Sequence, residues 1–466
     1  MLKRITRIFP VFLLFTVVAC TANYNLVMKK SEDKFYRGQY KEAARELIPQ
    51  INKSGKDQLL FLMECGLMLQ AAQDYQKSNE VFLKAGKMAE QINKSISKQA
   101  ASLLLNETTT NYNGEDFERV LIHVYTGINF LLLNKPDSAQ VEFKKVNNVL
   151  RDINVSGGKA YKQNIMAKYL TGIAFEMVAD LQNDAHDREF AYVEYKQIYE
   201  LNPKLRMVYR DLQRLAKQLG DDEDYRKWRS RFGKKDNLPK DAGELVMIYH
   251  AGLSAVKVSR GPLLADKAME AGIRVALSGM PAKEGVTISA VLFALNKAEN
   301  PIPRFQKRSN RIDHLVINVN GKDVGRTVKL EDIESTAVRT LDEKYNTIVA
   351  KTAAGIAVKV AASIAAGYAA KKAAEQVKQL GSFAGLIGTA VGAGTGAALI
   401  SQIKPDLRCW HTLPANLQLS RIFLPPGQYD ITIKFIDKSN RVERTTNHKI
   451  NIVKGKKTIF NFRTLY

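Results

Sequence analysis

Few residues in this chain have the types and spacing that chemistry requires. Six histidines, His123, His186, His250, His314, His411 and His448, are scattered singly along 466 residues. Only "DAHD" at 184–187 gathers ligating groups, with Asp184, His186 and Asp187 close together. A metal site needs a fuller donor set than this. No second cluster stands out, so these are read as solvated turn charges. There is no phosphate loop after a strand, no zinc-spaced Cys/His set and no nucleophile elbow. Gly381, Gly385, Gly388, Gly392 and Gly396 are frequent enough to imitate a phosphate loop, but the closing Gly-Lys-Ser/Thr is missing. Neither catalytic residues, nor a metal, nor a cofactor is expected. Arg408 and Trp410 in "LRCWHTLP" have two readings. An exposed Arg-x-Trp is a binding hot spot; the favoured alternative makes the tryptophan a plug in a β-module. Cys65 and Cys409 are expected as buried free thiols, with one disulfide as the alternative in an oxidising compartment.

Cys20 is the one cysteine placed for chemistry. Lys3, Arg4 and Arg7 precede an apolar run from Ile8 to Val18, and small Ala19 stands directly before Cys20. The run is too short to span a bilayer and has the layout of a secretory signal. Its ending, Val17-Val18-Ala19-Cys20, resembles the bacterial lipobox. The resemblance implies cleavage between Ala19 and Cys20, diacylglycerol on the Cys20 sulfur and an acyl chain such as palmitate on its new amino group. Two or three chains anchor stably, because each buried CH₂ contributes about 0.8 kcal/mol. Thr21 follows in place of an aspartate retention signal. The expected location is therefore the outer membrane, facing the periplasm, with the outer leaflet of the inner membrane or the cell surface as alternatives. Formal charge is +23, from 70 basic and 47 acidic residues, and falls by three when the signal is removed. In an exported protein, this lysine-rich, dispersed charge suits anionic lipid or cell-wall surfaces rather than nucleic acid.

Positioning falls to two kinds of element. From 20 to 233, apolar residues recur at helical spacing, as in Leu59, Leu60, Met63, Leu67 and Val120, Leu121, Val124, Ile128, Leu131. Breakers separate these runs at 54–56, 113–116, 134–137 and 156–158. A pattern recurs within them: Tyr40, Ala43 and Leu47; Tyr75, Ser78 and Phe82; Ala139 and Phe143; Ala191, Tyr195 and Ile198, closed by Pro203. "LGDDEDYRKW" at 219–228 is a fainter fifth copy. This resembles the tetratricopeptide repeat, in which the small residue lets two helices approach and the aromatic fills the gap to the next pair. The alternative is a generic helical bundle. The product is a stack of helix pairs with a concave face.

After a polar linker, 234–243, the period changes. "ELVMIYH" (244–250), "VTISAVLFAL" (286–295) and "RIDHLVINVNGKDV" (311–324) read as strands, and about four more follow from 420 to the end. Between them, 330–380 is one alanine-rich helical pattern, and no charge occurs from Leu380 to Ile403. The GxxxG spacings there predict a glycine-zipper hairpin, packed on the β-module or a neighbouring copy, with membrane insertion as the alternative. The expected fold is α+β multidomain. A signal (1–19) precedes an α-solenoid of tetratricopeptide-like helix pairs (20–233). A β-sandwich-like module follows (244–329 and 404–466), interrupted by an Ala/Gly-rich helical hairpin (330–403).

Four segments, 113–145, 243–257, 330–344 and 405–431, resemble a poorly characterised family of bacterial tetratricopeptide lipoproteins. The resemblance implies an envelope setting near cell-wall synthesis or surface-apparatus assembly, with no assigned reaction. Cys409 stands where a serine or similar small residue is expected before the tryptophan, which speaks against an obligatory disulfide. The expectation is a lipid-anchored periplasmic scaffold or adaptor that binds other envelope proteins through its repeats, without catalysis. A structural subunit of an envelope machine, such as a ring or collar, is an alternative; a cell-wall-modifying enzyme is another. Whether the chain forms a homo-oligomer is open.

Overall fold

The computed structural model describes residues 24–98, 110–155, 161–182, 184–279, 288–376 and 403–466. Ala19, Cys20 and the glycines Gly381, Gly385, Gly388, Gly392 and Gly396 of the expected hairpin lie outside them.

Ten helices form five successive pairs: α1 (Tyr24–Tyr36) with α2 (Tyr40–Ile51), α3 (Gln58–Ala71) with α4 (Tyr75–Lys98), α5 (Asp116–Leu132) with α6 (Pro136–Val155), α7 (Ile165–Gln182) with α8 (Ala185–Leu201), and α9 (Met207–Gln218) with α10 (Asp222–Phe232). Four of the pairs turn in the same way. Gly38, Gln73, Asn134 and Gly220 all have positive φ. The next residue's N–H returns to a carbonyl five positions back: Gln39 to Lys34, Asp74 to Leu69, Lys135 to Phe130, Asp221 to Ala216. This closure satisfies carbonyls that a helix end leaves unpaired.

The helices of a pair meet where one lacks a side chain. A Cβ on Gly66 of α3 would lie 2.7 Å from the Phe82 ring of α4, and one on Gly172 of α7 would lie 2.7 Å from the Tyr195 ring of α8. Gly127 of α5 faces Phe143 of α6 in the same manner. Four residues before each ring, Ser78, Ala139 and Ala191 are fully buried, as is Ala43 four before Leu47. The Ser78 hydroxyl donates to the Gly66 carbonyl at 2.7 Å, and the Ser31 hydroxyl to the Ala43 carbonyl at 2.8 Å. Tyr40 leans on Phe35 with ring centroids 5.2 Å apart. Tyr75 is half-buried beside Asn461, and Pro203 follows the end of α8.

Residues 233–242 lead into two four-stranded sheets. The first runs β10 (Lys457–Arg463), β1 (Gly243–Ala251), β7 (Asn416–Leu424), β6 (Val328–Glu331), with β1 parallel to β10 and antiparallel to β7. The second runs β5 (Lys322–Arg326), β4 (Ile312–Val319), β8 (Gly427–Asp437), β9 (Val442–Ile452). Leu245, Met247 and Tyr249 of β1 meet Leu315 and Ile317 of β4 and Ile431, Ile433 and Phe435 of β8 in the sandwich core. A two-stranded ribbon, β2 (Val256–Val258) with β3 (Arg304–Gln306), stands beside the sandwich. The residues at 320–321 make the β4–β5 turn with positive φ at both Asn320 and Gly321, the pattern that favours Asn-Gly in tight hairpins.

Two sequence expectations need correction. The run at 286–295, read as a strand, is helical from Ile288 to Leu295 (α12). Its β-branched residues favour strands only weakly, and burial of Leu292 and Leu295 against α11 (Lys267–Ser278) and α13 (Ile333–Gln376) decides otherwise. A helical boundary at 330 falls inside β6, and α13 begins three residues later.

The sandwich does not stand apart from the repeats. All nine residues of β1 are buried. Alternation explains half of this, since Leu245, Met247 and Tyr249 face the sandwich core. Val246 and Ile248, with Leu417 and Leu419 of β7, belong to the same apolar cluster as the helix pairs. α3 is therefore covered on both sides: every residue from Leu59 to Gln70 is buried. The concave face expected to be open is filled by the chain's own β-module.

Candidate functional site

The joint between repeats and sandwich holds much of the buried charge among the described residues. Each first helix contributes one acid to it. The Glu32 carboxylate on α1 takes His411 Nδ1 at 2.5 Å. On α3, Glu64 accepts the His411 N–H at 2.6 Å and the Thr412 hydroxyl at 2.5 Å. Glu118 on α5 accepts the Trp410 N–H at 2.7 Å. Arg421 of β7 reaches Glu176 on α7 at 3.1 Å and Asp211 on α9 at 3.1 Å. One extended segment, 404–415, and the strand that follows it thus lie along five helices, donating to an acid from each.

Glu118 has two duties. Its Oε2 accepts from the Glu115 N–H at 2.8 Å, closing a capping box at the start of α5, and from Tyr112 at 2.6 Å. Its other oxygen is left for Trp410. Burial, with Glu115 beside it, raises the Glu118 carboxyl above the usual range. Burial pushes the Glu64 carboxyl up to about 7, against the opposing pull of His411 and of the Thr412 and His411 hydrogen bonds. Desolvation by itself would lower His411, but its carboxylate and thiol neighbours, Glu32 and Cys409, hold it well above the ordinary range.

Arg421 is fully buried. It donates to Glu244 of β1 at 2.8 Å and to the Tyr195 hydroxyl at 2.8 Å, besides the two acids already named. Glu176 also receives Arg214 at 2.8 Å and Lys457 at 3.3 Å, and Lys457 reaches Asp180 at 2.7 Å. Burial would raise the Glu176 carboxyl, yet Arg214, Arg421 and Lys457 outweigh it and hold it well below the carboxylate range. A buried ion cluster needs its lone pairs and protons satisfied; here the tyrosine and the sheet strands supply partners to Arg421, while the Nε of Arg214 is left without one.

The structure places the sequence-singled residues plainly. Arg408 is buried, donating to Asp57 at 2.7 Å and to Asp406 at 2.7 Å, so it is not an exposed hot spot. Trp410 is buried, but against the helices rather than as a plug in the sandwich: its ring lies 5.8 Å from those of Phe82 and Tyr125. It fills the gap that two neighbouring repeats leave. Cys65 and Cys409 are free and buried, and burial pushes the Cys65 thiol up to about 12. Asp184 caps α8 by accepting from the His186 N–H at 2.9 Å. His123 pairs with Glu142 at 2.8 Å, and His314 with Asp313 at 2.9 Å. His250 lies between Tyr125 and Asn461, and burial together with Arg463 pushes it down to about 3. Among the described residues no group of three His, Cys, Asp or Glu is placed to hold a metal.

Sequence reasoning missed the acids of the joint, though a signal existed. Glu64 and Glu176 are single carboxylates inside otherwise apolar helical runs, "LLFLMECGLML" and "GIAFEMVA", and a buried carboxylate demands a partner. Clefts of about 230 Å³ and about 170 Å³ border the joint. In the larger, Arg119 meets Asp116 at 2.6 Å and Lys257 meets Glu115, so its walls are internally paired.

No protein-family model matches the chain, and no curated protein matches it. Among solved structures it is similar to residues 41 to the end of MamA from Desulfovibrio magneticus RS-1, at 16% identity over 46% of this chain and 94% of that one, with a TM-score of 0.28. It is also similar to the nearly identical TPR-like repeats of a Podosopora anserina kinesin light chain, at 11% identity over 45% and 92%, with a TM-score of 0.29. A third is PilW, a type IV pilus biogenesis factor, at 16% identity over 47% and 79%, with a TM-score of 0.26. The helix pairs, their common turn and their glycine–aromatic contacts make the N-terminal half a tetratricopeptide-like repeat joined to a β-sandwich, an α+β architecture.

Proposed function

We propose that this chain is a lipid-anchored, non-catalytic scaffold of a bacterial envelope, tethered through Cys20 and facing the periplasm from the outer membrane. The lipobox-like ending at Ala19-Cys20 supports the anchor. The sealed joint supports the scaffold: its acids are committed to Arg421, His411 and the backbone of 410–412, which leaves none of them free to act on a substrate. With the inner face filled, the outer faces of the second helices are what the repeats offer to other envelope proteins. Val141 on α6 and Phe190, Val193 and Leu201 on α8 are exposed there. Scattered surface apolar residues are normal, but three along one helix face mark a contact surface. No described helix is long and apolar enough to cross a membrane.

Labelling cells with radioactive palmitate tests the anchor: label is expected on the wild-type chain and absent from Cys20→Ala. Partners co-purified with the wild type should be lost with Phe190→Asp and Val193→Asp together. Undiminished label in Cys20→Ala overturns the anchor, and unchanged partners in the double variant overturn the surface.

A further inference from the structure

The sandwich ends in a long bare strand. Among the described residues β9 is the outermost strand of its sheet and pairs only with β8. It has eleven residues, whereas the opposite edge strand, β5, has five. Seven of the eleven are exposed. The Asn451 carbonyl accepts from the Thr458 hydroxyl at 2.9 Å, and among the described residues β9 has no backbone ladder beyond β8. Unpaired N–H and C=O groups along such an edge are a template for another strand.

The side chains say which strand fits. Even-numbered residues turn inward: Arg444 lies over the Phe435 ring, His448 lies against Phe460 and Phe462, and Ile450 and Ile452 are in the core. Odd-numbered residues, Glu443, Thr445, Asn447 and Lys449, are exposed on the outer face. The charges at the two ends of this row are opposite. We propose that β9 pairs antiparallel with β9 of a second copy about a two-fold axis at Thr446, joining two four-stranded sheets into one of eight.

In that register Glu443 faces Lys449 of the second copy and Lys449 faces its Glu443, while Thr445 faces Asn447. Cross-strand pairs of opposite charge stabilise a sheet, and like charges opposite each other oppose it. A shift of two residues one way sets Lys449 against Arg441. A shift of two the other way sets it against Thr445 and loses both ion pairs. Charge thus selects one register. Asp430, opposite Lys449 on β8, lies on the same face and continues the alternation of sign. Arg311 already touches Glu443 at 3.4 Å in an exposed pair, which exchange for Lys449 leaves at little cost. The two-fold is isologous, the commonest way for a soluble chain to pair with itself. A strand edge alone buries less than a standard interface of about 1,600 Å², so the dimer is concentration-dependent.

Sedimentation velocity of the full chain over about a hundredfold range of concentration reads the association by mass action. A monomer–dimer equilibrium is expected. Lys449→Glu, on an exposed position, should weaken it roughly tenfold or more, since two attractions become two repulsions. Glu443→Lys combined with Lys449→Glu should restore it. Thr446→Cys sits on the axis, where facing Cα atoms roughly 4.5–5.5 Å apart suit a disulfide, and mild oxidation should yield a covalent dimer absent from the wild type. The proposal is overturned by a monomer at every concentration with no Thr446→Cys cross-link. It is equally overturned by a dimer indifferent to Lys449→Glu, or by a Thr446→Cys cross-link in cells to a different polypeptide.

Discussion

Arg421→Ala tests the joint most severely. The guanidinium is fully buried and bridges Glu176, Asp211 and Glu244, from two helices and a strand. Its removal leaves Glu176 with Arg214 and Lys457 as cationic partners and leaves Asp211 and Glu244 without their Arg421 ion pairs. Breaking a buried ion cluster from one side costs about 3–5 kcal/mol, because the uncompensated charge stays in the protein interior. The loss depends on pH, and its sign follows from Glu176. In the wild type that carboxyl lies well below its unfolded value of 4.5, so it contributes stability that is present above pH 4.5 and fades as pH falls through the folded value. In Arg421→Ala one of the three cations that hold the carboxyl down is gone and it rises toward its unfolded value, so the gap between variant and wild type narrows as acid neutralises the variant first. Urea unfolding followed by circular dichroism at about pH 8 and about pH 4 should show the full difference at the higher pH and a smaller one at the lower. A cost below about 1 kcal/mol, or one equal at both pH values, would refute the claim that the cluster holds the two halves together.

Three further predictions concern single positions. Gly66→Ala places a Cβ 2.7 Å from the Phe82 ring, and overpacking of about 1–3 kcal/mol should exceed the helix-propensity gain of about 1; Gly86→Ala, whose Cβ meets His123 at 3.2 Å, should be near neutral in the same denaturant titration. Gln73→Gly relieves a left-handed residue with φ of 63° and should raise the thermal midpoint, since the strain is worth about 1 kcal/mol; an unchanged midpoint counts against the shared turn. The Glu64 carboxyl should titrate near pH 7 in a carbon-13 NMR experiment. Because its folded value lies above its unfolded 4.5, it stabilises fully below pH 4.5 and loses that contribution as pH rises through about 7; a midpoint below 5 would show that its surroundings are wet.

Local spacing made part of this legible from sequence. Ala43, Ser78, Phe82, Ala139, Phe143, Ala191 and Tyr195 recur within one helix pair, and a helical period needs only near neighbours to show itself. The Asn-Gly turn and the alternation of Ile431, Ile433 and Phe435 are local too. The glycines opposite the rings escaped notice because a lone Gly in a helix carries no sign of what faces it. The joint escaped for a plainer reason: Arg421 and Glu176 are 245 residues apart, and Trp410 and Glu118 are 292 apart. Nothing in either neighbourhood says which distant acid meets which distant donor. α12 misled because isolated propensity spoke for a strand while packing on α11 and α13 decided for a helix.

The parallel pairing of β1 with β10 has a consequence in time. β1 begins eleven residues after the last repeat helix, but its neighbour β10 begins only at Lys457. A ribosome adding about 5–20 residues per second needs on the order of ten to fifty seconds to pass from α10 to β10. Until residues 410–421 are made, Glu64 and Glu118 lack the donors of that segment, and until Lys457 is made the inner wall lacks the strand that completes its cover. The helix pairs have short-range contacts and can form early, whereas the sheet that seals them must wait for β10. A chain halted or clipped before Lys457 is therefore left with a sticky, negatively studded trough, the state most exposed to chaperones and proteases.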